Sequence, residues 1–596
     1  VELPTNGAIA DALEELGDLY ELDGAIVHRV LAYRTAAKTV REATVSVGAL
    51  AREGRAVALK GIGETLQEKI KALCETGTIP AAEKLRAKHP PGLVEITRLP
   101  GIGAKRARLL HSALGIDSPQ ALREAAIKQR VREVRGLGAK FEEGVLSALE
   151  RAAANPQESD GGRARLLLPQ ALELGQALAR GLSEGNADEG ATVMVAGSAR
   201  RMGDSVKDID LIAVTKRPVA LAKRLAKLAE IESVSSASAV GARGRAHVGV
   251  GVDLRIGKPK ELGNLLQHFT GSGRHNAALR ELAVRKGLHV SEHGVLNDAN
   301  GPRRTSTYED EREVYEAVGM AYIEPELRED RGELQAAADG GQGLPKLIEQ
   351  QDIRGELHCH TIASDGHNTI EEMAVAAREM GYEYLAITDH SATHGFGNDV
   401  SPDELRRQIE RVREVDARLE GIAVKAGSEV NILPDGELDY EDELLRELDW
   451  VVASVHTAFG TGEEAMTARM IRAIEHPLVD AIGHPTGRMI VRREPYAIDL
   501  EAVCQAAART GTLIEINANP DRRDLSDVHA RNAARAGVKI VIDSDAHKTV
   551  TLQNMCWGIA TARRAWLTKQ DVANTRSWRE LERMRKRNRS RSSAQP

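Results

Sequence analysis

The sequence predicts a multidomain chain: an all-helical N-terminal region, a central α/β domain and a C-terminal barrel of β/α units. Three observations carry that reading. An apolar-Gly-apolar-Gly turn followed by a helical pattern occurs three times before residue 155. Val- and Ile-rich stretches between residues 191 and 256 alternate with long helical patterns. From residue 353 onward, seven strand-like segments separated by helices end in His, Glu or Asp chemistry, as expected of a closed or nearly closed barrel with its ligands at the C-terminal ends of the strands.

A chain of 596 residues with 42% hydrophobic content is too long for one core and fits about three to five domains. No stretch approaches the roughly 20 uninterrupted apolar residues of a membrane span. The start, VELPTNGAIADALEELG, carries neither a basic leader nor an apolar signal segment. A cytoplasmic, nucleoid-associated protein without membrane contact, and a monomer, is expected. Cys74, Cys359, Cys504 and Cys556 are too scattered for a disulfide scaffold or a paired zinc site. With 81 basic and 88 acidic residues, the net charge of -7 neither demands nor excludes nucleic acid, because a local patch sets its own field.

The first element is the repeated turn: LKGIGETLQEKIKAL from Leu59, LPGIGAKRARLLHSAL from Leu99 and VRGLGAKFEEGVLSAL from Val134. The glycine pairs Gly61 and Gly63, Gly101 and Gly103, and Gly136 and Gly138 each precede a helix. Backbone N–H groups at such a helix start can face an anion such as a DNA phosphate. One glycine-pair turn alone reads equally as a connector. Repetition, with Lys105, Arg106 and Lys140 just downstream of two of the turns, points to sequence-independent backbone binding. The pattern resembles the helix-hairpin-helix fold.

The polar stretch NPQESDGGR, residues 155–163, ends this region. The α/β domain follows, with ATVMVAGSARR from Ala191, DIDLIAV from Asp208 and AHVGVGVDLRI from Ala246. Residues two apart on a strand project to the same face, so Asp208 and Asp210 can share a metal pair, with Asp253 as a third carboxylate from a neighbouring strand. Three carboxylates suit Mg²⁺ or Mn²⁺ and the chemistry of phosphoryl transfer. Ser198, with the backbone at Gly197 and the side chain of Arg201, would hold a triphosphate. An isolated D-x-D is more often a turn or surface pair; the strand context, the preceding Gly-Ser and the third aspartate oppose that reading.

These residues resemble a family X DNA polymerase. The resemblance extends to LLQHFTGSGRHNAALRELAVRKG from Leu265, similar to the family's nucleotide-selecting region. It implies that Phe269, Thr270 and Gly271 lie along the sugar, that Asn276 reaches the incoming base and that Arg280 contacts the templating side. Lys69 falls where some members carry a lyase lysine, and reads equally as a solvated helix lysine. The chain departs from the family at His268, where an aromatic is usual, at Gly273, which replaces a charged residue, and at Thr65, which replaces a lysine.

The barrel segments are RGELHCH, YLAITDH, IAVKAGSEV, WVVASVH, VDAIGH, GTLIEIN and VKIVIDSDAH. Imidazoles and carboxylates recurring at their ends suit Zn²⁺ or Mn²⁺ better than Mg²⁺. The motifs H-x-H, T-D-H, a lone Glu, S-x-H, G-H-P and D-x-H resemble the polymerase-and-histidinol-phosphatase (PHP) domain. That resemblance implies up to three ions: one on His358, His360, Glu429 and Asp545, a second on Glu429, His456 and His484, and a third on Asp365, His390 and His547.

The implied organisation is a helix-hairpin-helix domain over 1–80, a second over 81–155, a nucleotidyltransferase palm over 164–260 and a nucleotide-selecting subdomain over 261–331. A linker over 332–352, a distorted (β/α)7 PHP barrel over 353–569 and a disordered basic tail over 570–596 complete it. The function implied is filling of gapped or primer-template DNA from dNTPs in base excision repair, with the barrel as a 3'-5' exonuclease or abasic-site endonuclease. Two alternatives stay open: a histidinol-phosphatase-like small-molecule enzyme fused to a nucleotidyltransferase, and a polymerase whose barrel metal is purely structural.

Overall fold

In the computed structural model, which describes residues 3–97, 99, 102–154, 165–184, 191–298, 303–395, 398–586 and 588, the three glycine turns share one backbone construction. Ile62, Ile102 and Leu137 are buried and donate backbone N–H bonds three residues back, to Leu59, Leu99 and Val134, at 3.1, 3.0 and 2.9 Å. Helices Glu64–Thr76, Ala104–Leu114 and Ala139–Ala154 follow. Gly61 and Gly136 have φ of +87° and +92°, the left-handed region that favours glycine. Gly101 and the polar stretch at 155–163 lie outside the described residues. The repeat runs deeper than the glycines: Gln67 and Glu142, four residues past the second glycine, accept from the backbone N–H of Val57 and Arg132, four before the first.

The chain divides into two compact units. The first comprises Val1–Leu166, Glu173–Met194 and Lys207–Gly257. Its helical part has one continuous core in which Ile9, Leu13 and Leu16 share a cluster with Ile70, Leu110 and Leu122, so the expected boundary at residue 80 does not separate two cores. Its sheet has strands β1 (Thr192–Val195), β2 (Asp208–Val214), β3 (Ile231–Ser238), β4 (Gly241–Ala246) and β5 (Gly251–Gly257), in the order β1-β2-β5-β4-β3.

The second unit comprises Leu167–Leu172, Val195–Val206 and Lys258–Pro596. Helices Leu262–Thr270 and Gly273–Val284 precede a three-stranded sheet of β6 (Leu288–Ser291), β7 (Gly294–Asn297) and β8 (Arg304–Ser306). Residues 332–352 are not a loose linker. Leu334, Ala337 and Leu347 enter the core built on Leu279 and Tyr315, and Ile348 enters the barrel core. Alanine and glycine carry little sequence signal of burial, yet they pack wherever backbones approach closely.

Seven parallel strands follow: β9 (Gly355–Cys359), β10 (Tyr384–Ile387), β11 (Ala423–Asn431), β12 (Trp450–Ser454), β13 (Ala481–Ile482), β14 (Leu513–Asn517) and β15 (Ile540–Asp543). Their near-continuous apolar runs reflect burial on both faces. The His360 N–H donates to the Ala546 carbonyl at 2.8 Å and the Leu357 N–H to Asp543 Oδ1 at 3.0 Å, closing the barrel. Residues 570–586 are built into the fold, contrary to the expected tail. Asn574 Nδ2 bridges the carbonyls of Gly355 and Ile542 across the β9–β15 seam, helix Trp578–Met584 places Leu581 in a core with Trp450, and Arg585 pairs with Asp480. Its arginine-rich composition hid the apolar and asparagine anchors between the charges. Among the described residues no helix is long and apolar enough to cross a membrane.

Candidate active sites

In the first unit, β2 and β5 are parallel neighbours in a register that sets Asp208 opposite Gly251 and Asp210 opposite Asp253. A Cβ at Gly251 would fall 2.2 Å from Asp208 Oδ1, so only glycine leaves that carboxylate its place. Asp253 Oδ2 lies 2.8 Å from Arg255 Nη2 on its own strand and 3.4 Å from Arg243 on β4. The groups of metal-ligating side chains among the described residues, with donor atoms within 4.8 Å of one another, are in the barrel. The three aspartates do not form one, and Asp253 is held by two arginines.

In the second unit, the short helix Gly197–Arg200 starts at Gly197 with φ of +61° and leaves Ser198 half-buried. Arg201, expected on a triphosphate, instead gives its guanidinium to Glu329 at 3.0 Å and to the Thr270 carbonyl at 2.8 Å. Arg200 pairs with Glu311 and donates to Thr270 Oγ1 at 2.6 Å. Both arginines therefore fasten the short helix to the Phe269–Gly271 segment. Asn276 is buried, donating to the His268 carbonyl and accepting from Gln267. A Cβ at Gly271 would lie 2.7 Å from Asn276 Oδ1. Arg280 is exposed, with one nitrogen 3.3 Å from His268 Nδ1.

The barrel brings its nine expected ligands together at one end. Glu429 is the hub. Its Oε1 lies 2.9 Å from His484 Nε2 and 3.2 Å from His456 Nε2; its Oε2 lies 2.9 Å from His390 Nδ1, 3.3 Å from His358 Nε2 and 3.6 Å from His360 Nε2. Asp545 Oδ1 is 3.1 Å from His360 Nε2, and Asp365 Oδ1 is 3.2 Å from His547 Nε2. Three ligand groups result: His358, His360 and Asp545; His390, Glu429 and His456; and His360, Asp365, His390 and His547. His360 and His390 are thus shared more widely than the resemblance implied, and His484 joins through Glu429.

These residues fit metal ions. His358 Nε2, both ring nitrogens of His360, His484 Nδ1 and Glu429 Oε2 are buried without a hydrogen-bond partner, a costly arrangement unless a cation supplies the missing interaction. Burial pushes the His360 imidazole down to about 3 and, with Arg522 assisting, His484 down to about 4, so both keep lone pairs at neutral pH. Burial also raises the Glu429 carboxyl, but His456, His358 and His390 outweigh it and hold it well below the usual carboxylate range. Burial likewise lowers His547, yet Asp365 and Asp545 overcome it and bring it up to about 9.

Several supporting residues escaped the sequence reading. Glu515 Oε1 is 2.6 Å from His358 Nδ1, the carboxylate that orients a ligating imidazole. Asn517 donates to Asp545 Oδ2 at 3.0 Å. His394 stacks on His390 at 4.3 Å and faces Asp399 at 2.5 Å. Arg522 Nε stands 3.8 Å from Asp545 Oδ2, its side chain partly open to solvent. In GTLIEINANPDRR the strand alternation aims Glu515 and Asn517 to one side, the one signal that was available.

Repeated helical glycine turns, an α/β sheet with facing aspartates and a multi-histidine barrel define a polymerase with a fused metal-dependent phosphoesterase domain. Family profiles match accordingly: a helix-hairpin-helix domain at 4–79, a SAM-like helix-hairpin-helix tandem at 93–151, a DNA polymerase beta thumb at 265–329 and a PHP domain at 356–519. The chain is 35% identical over 582 residues to the DNA polymerase/3'-5' exonuclease PolX of Bacillus subtilis (strain 168), covering 97% of this chain and 98% of that protein. It belongs to that PolX family, the family X DNA polymerases with a PHP domain. The chain is also 34% identical over 239 residues to a probable phosphatase of Thermoanaerobacter sp. (strain X514), over 37% of this chain and 89% of that protein. A probable phosphatase of Caldanaerobacter subterraneus subsp. tengcongensis is 35% identical over 32% of this chain and 75% of that protein.

Proposed function

We propose that this chain, acting as a monomer, fills short gaps in DNA from dNTPs and removes nucleotides from 3' ends in its barrel. The observation that carries the reading is one chain with both the in-register Asp210–Asp253 pair and nine convergent barrel ligands. The B. subtilis relative, matched over nearly its whole length, bears both activities in its name.

Asp208, Asp210 and Asp253 are assigned to Mg²⁺ or Mn²⁺, Gly197 and Ser198 to the triphosphate, and Phe269, Thr270, Gly271, Asn276 and Arg280 to the nucleotide and template. Arg201 braces that segment from within, in keeping with its pair to Glu329. In the barrel, His358, His360, Asp365, His390, Glu429, His456, His484, Asp545 and His547 are assigned to Mn²⁺ or Zn²⁺. Such ions would supply Lewis-acid neutralisation of the phosphodiester charge. The chain's own part is to orient the ligands through Glu515 and Asn517, and to offer Arg522 at the rim to a phosphate oxygen.

A labelled one-nucleotide gap with and without dNTPs tests both halves. Extension by one residue with dNTPs, and 3' shortening without them, is expected; shortening absent in metal-replete protein would remove the nuclease. A phosphatase for a small metabolite would give neither product.

The turns make a separate prediction. Lys105 and Arg106 are exposed beside the bare N-terminus of helix Ala104–Leu114, although Arg106 also sits 5.0 Å over Phe141. Changing both to alanine should weaken binding several-fold on unrelated DNA sequences and flatten the log K against log salt slope by about 0.9 for each phosphate no longer neutralised. Fluorescence titrations at several salt concentrations with an unchanged slope would take this turn off the DNA path.

A further inference from the structure

The loop after β14, residues 518–525, carries adjacent arginines that turn opposite ways. Arg522 faces Asp545 in the cluster of candidate ligands, whereas Arg523 is fully buried on the other side. Its Nη2 donates to the Met202 carbonyl at 3.0 Å, its Nε donates to Thr561 Oγ1 at 2.9 Å, and its Nη1 lies 3.2 Å from Asp204 Oδ1. Arg488 takes Asp204 Oδ2 at 2.9 Å, and Arg564 donates to the Arg201 carbonyl at 2.6 Å. Three barrel arginines therefore grip residues 201–204. Burial pushes the Arg523 guanidinium down to about 10, which still leaves it charged at neutral pH.

What they grip is the turn that ends helix Gly197–Arg200. Met202 has φ of +58°, a left-handed conformation that a residue with a side chain keeps only where its surroundings impose it. The Met202 N–H bonds the Ala199 carbonyl at 3.0 Å and the Gly203 N–H bonds the Ser198 carbonyl at 2.9 Å. A shift of Met202 is thereby a shift of Ser198. Buried charges fix one geometry but add little stability over apolar packing of the same volume. Their use on a four-residue turn points to a need for position rather than adhesion.

We propose that Arg523, a barrel residue, is a positioning residue for nucleotide incorporation, holding through Met202 and Asp204 the backbone that presents Ser198. The proposal rests on the nucleotide-binding role assigned above to Gly197 and Ser198. It makes the barrel part of the polymerase machinery irrespective of its own hydrolysis.

The test uses full-length protein. Arg523→Met keeps an apolar stem and removes every donor; Asp204→Asn removes the charge on the other side without substituting a barrel residue. On gapped DNA, each is expected to raise KM for dNTP, by about ten-fold for Arg523→Met, with kcat within about three-fold of wild type. Arg523→Lys should recover part of the loss. Bound metal by elemental analysis and 3' hydrolysis should stay at wild-type levels. Hydrogen exchange over residues 195–206 should quicken by about ten-fold or more while β9–β15 keep their protection. Unchanged exchange there in both variants overturns the brace, and faster exchange with unchanged KM overturns its role in incorporation. If the wild-type protein incorporates no nucleotide, the palm assignment fails instead, and the exchange result alone then decides whether Arg523 orders the segment.

Discussion

Glu429→Gln is expected to abolish 3' hydrolysis, by about three orders of magnitude or more, and to leave gap filling within about two-fold of wild type. Glu429 is the carboxylate on which five imidazoles converge, at 2.9 to 3.6 Å. Glutamine preserves the volume but removes the charge on which those five imidazoles converge. The neighbouring carboxylates cannot replace it: Asp545 is committed to His360 and Asn517, and Asp365 to His547. The same geometry sets the pH response of metal loading. Burial opposes the charged forms of His358, His390 and His547, but facing carboxylates raise all three above the usual imidazole range, so an ion must displace protons there. Loading should weaken as pH falls, and a Mn²⁺ titration at several pH values reads it. Hydrolysis persisting in Glu429→Gln protein that elemental analysis shows to be metal-free would make the cluster structural.

Asp210→Asn is expected to abolish incorporation, again by about three orders of magnitude or more, while DNA affinity and 3' hydrolysis persist. Asp210 is paired in register with Asp253 across parallel strands and shares a face with Asp208 two residues earlier. Asparagine keeps the shape and the strand but removes one of three negative charges from a site that must compete with Arg255 and Arg243 for Asp253. Single-nucleotide primer extension measures the loss. Extension near the wild-type rate, or simultaneous loss of hydrolysis, would contradict two separate centres.

Much of this was legible along the chain because the signals are local or periodic. The glycine turns repeat within 16-residue windows, and the same-face relation of Asp208 and Asp210 follows from strand geometry. Six of the seven barrel strands announce themselves as an apolar run ending at a candidate ligand, the exception being GTLIEIN. Two segments misled for a shared reason. The small residues of 332–352 suggested a linker and the arginines after 569 a disordered tail, yet Leu334, Leu347 and Ile348, and then Asn574, Leu581 and Arg585, are anchored by partners distant in sequence.

The sequence by itself determined the fold class and the class of chemistry and supplied the candidate ligands, since residue type and spacing within one strand or turn carry those. Only the tertiary structure decided how the ligands are grouped, because His360 and His390, each shared by two groups, follow different strands and meet only through the barrel. It also decided that Arg201 braces Glu329 and Thr270, and that Arg523 reaches Met202, 321 residues earlier in the chain. A buried guanidinium finds its acceptors by packing, and nothing in the local sequence of Arg522 and Arg523 distinguishes the arginine that faces the cluster from the one that holds the turn.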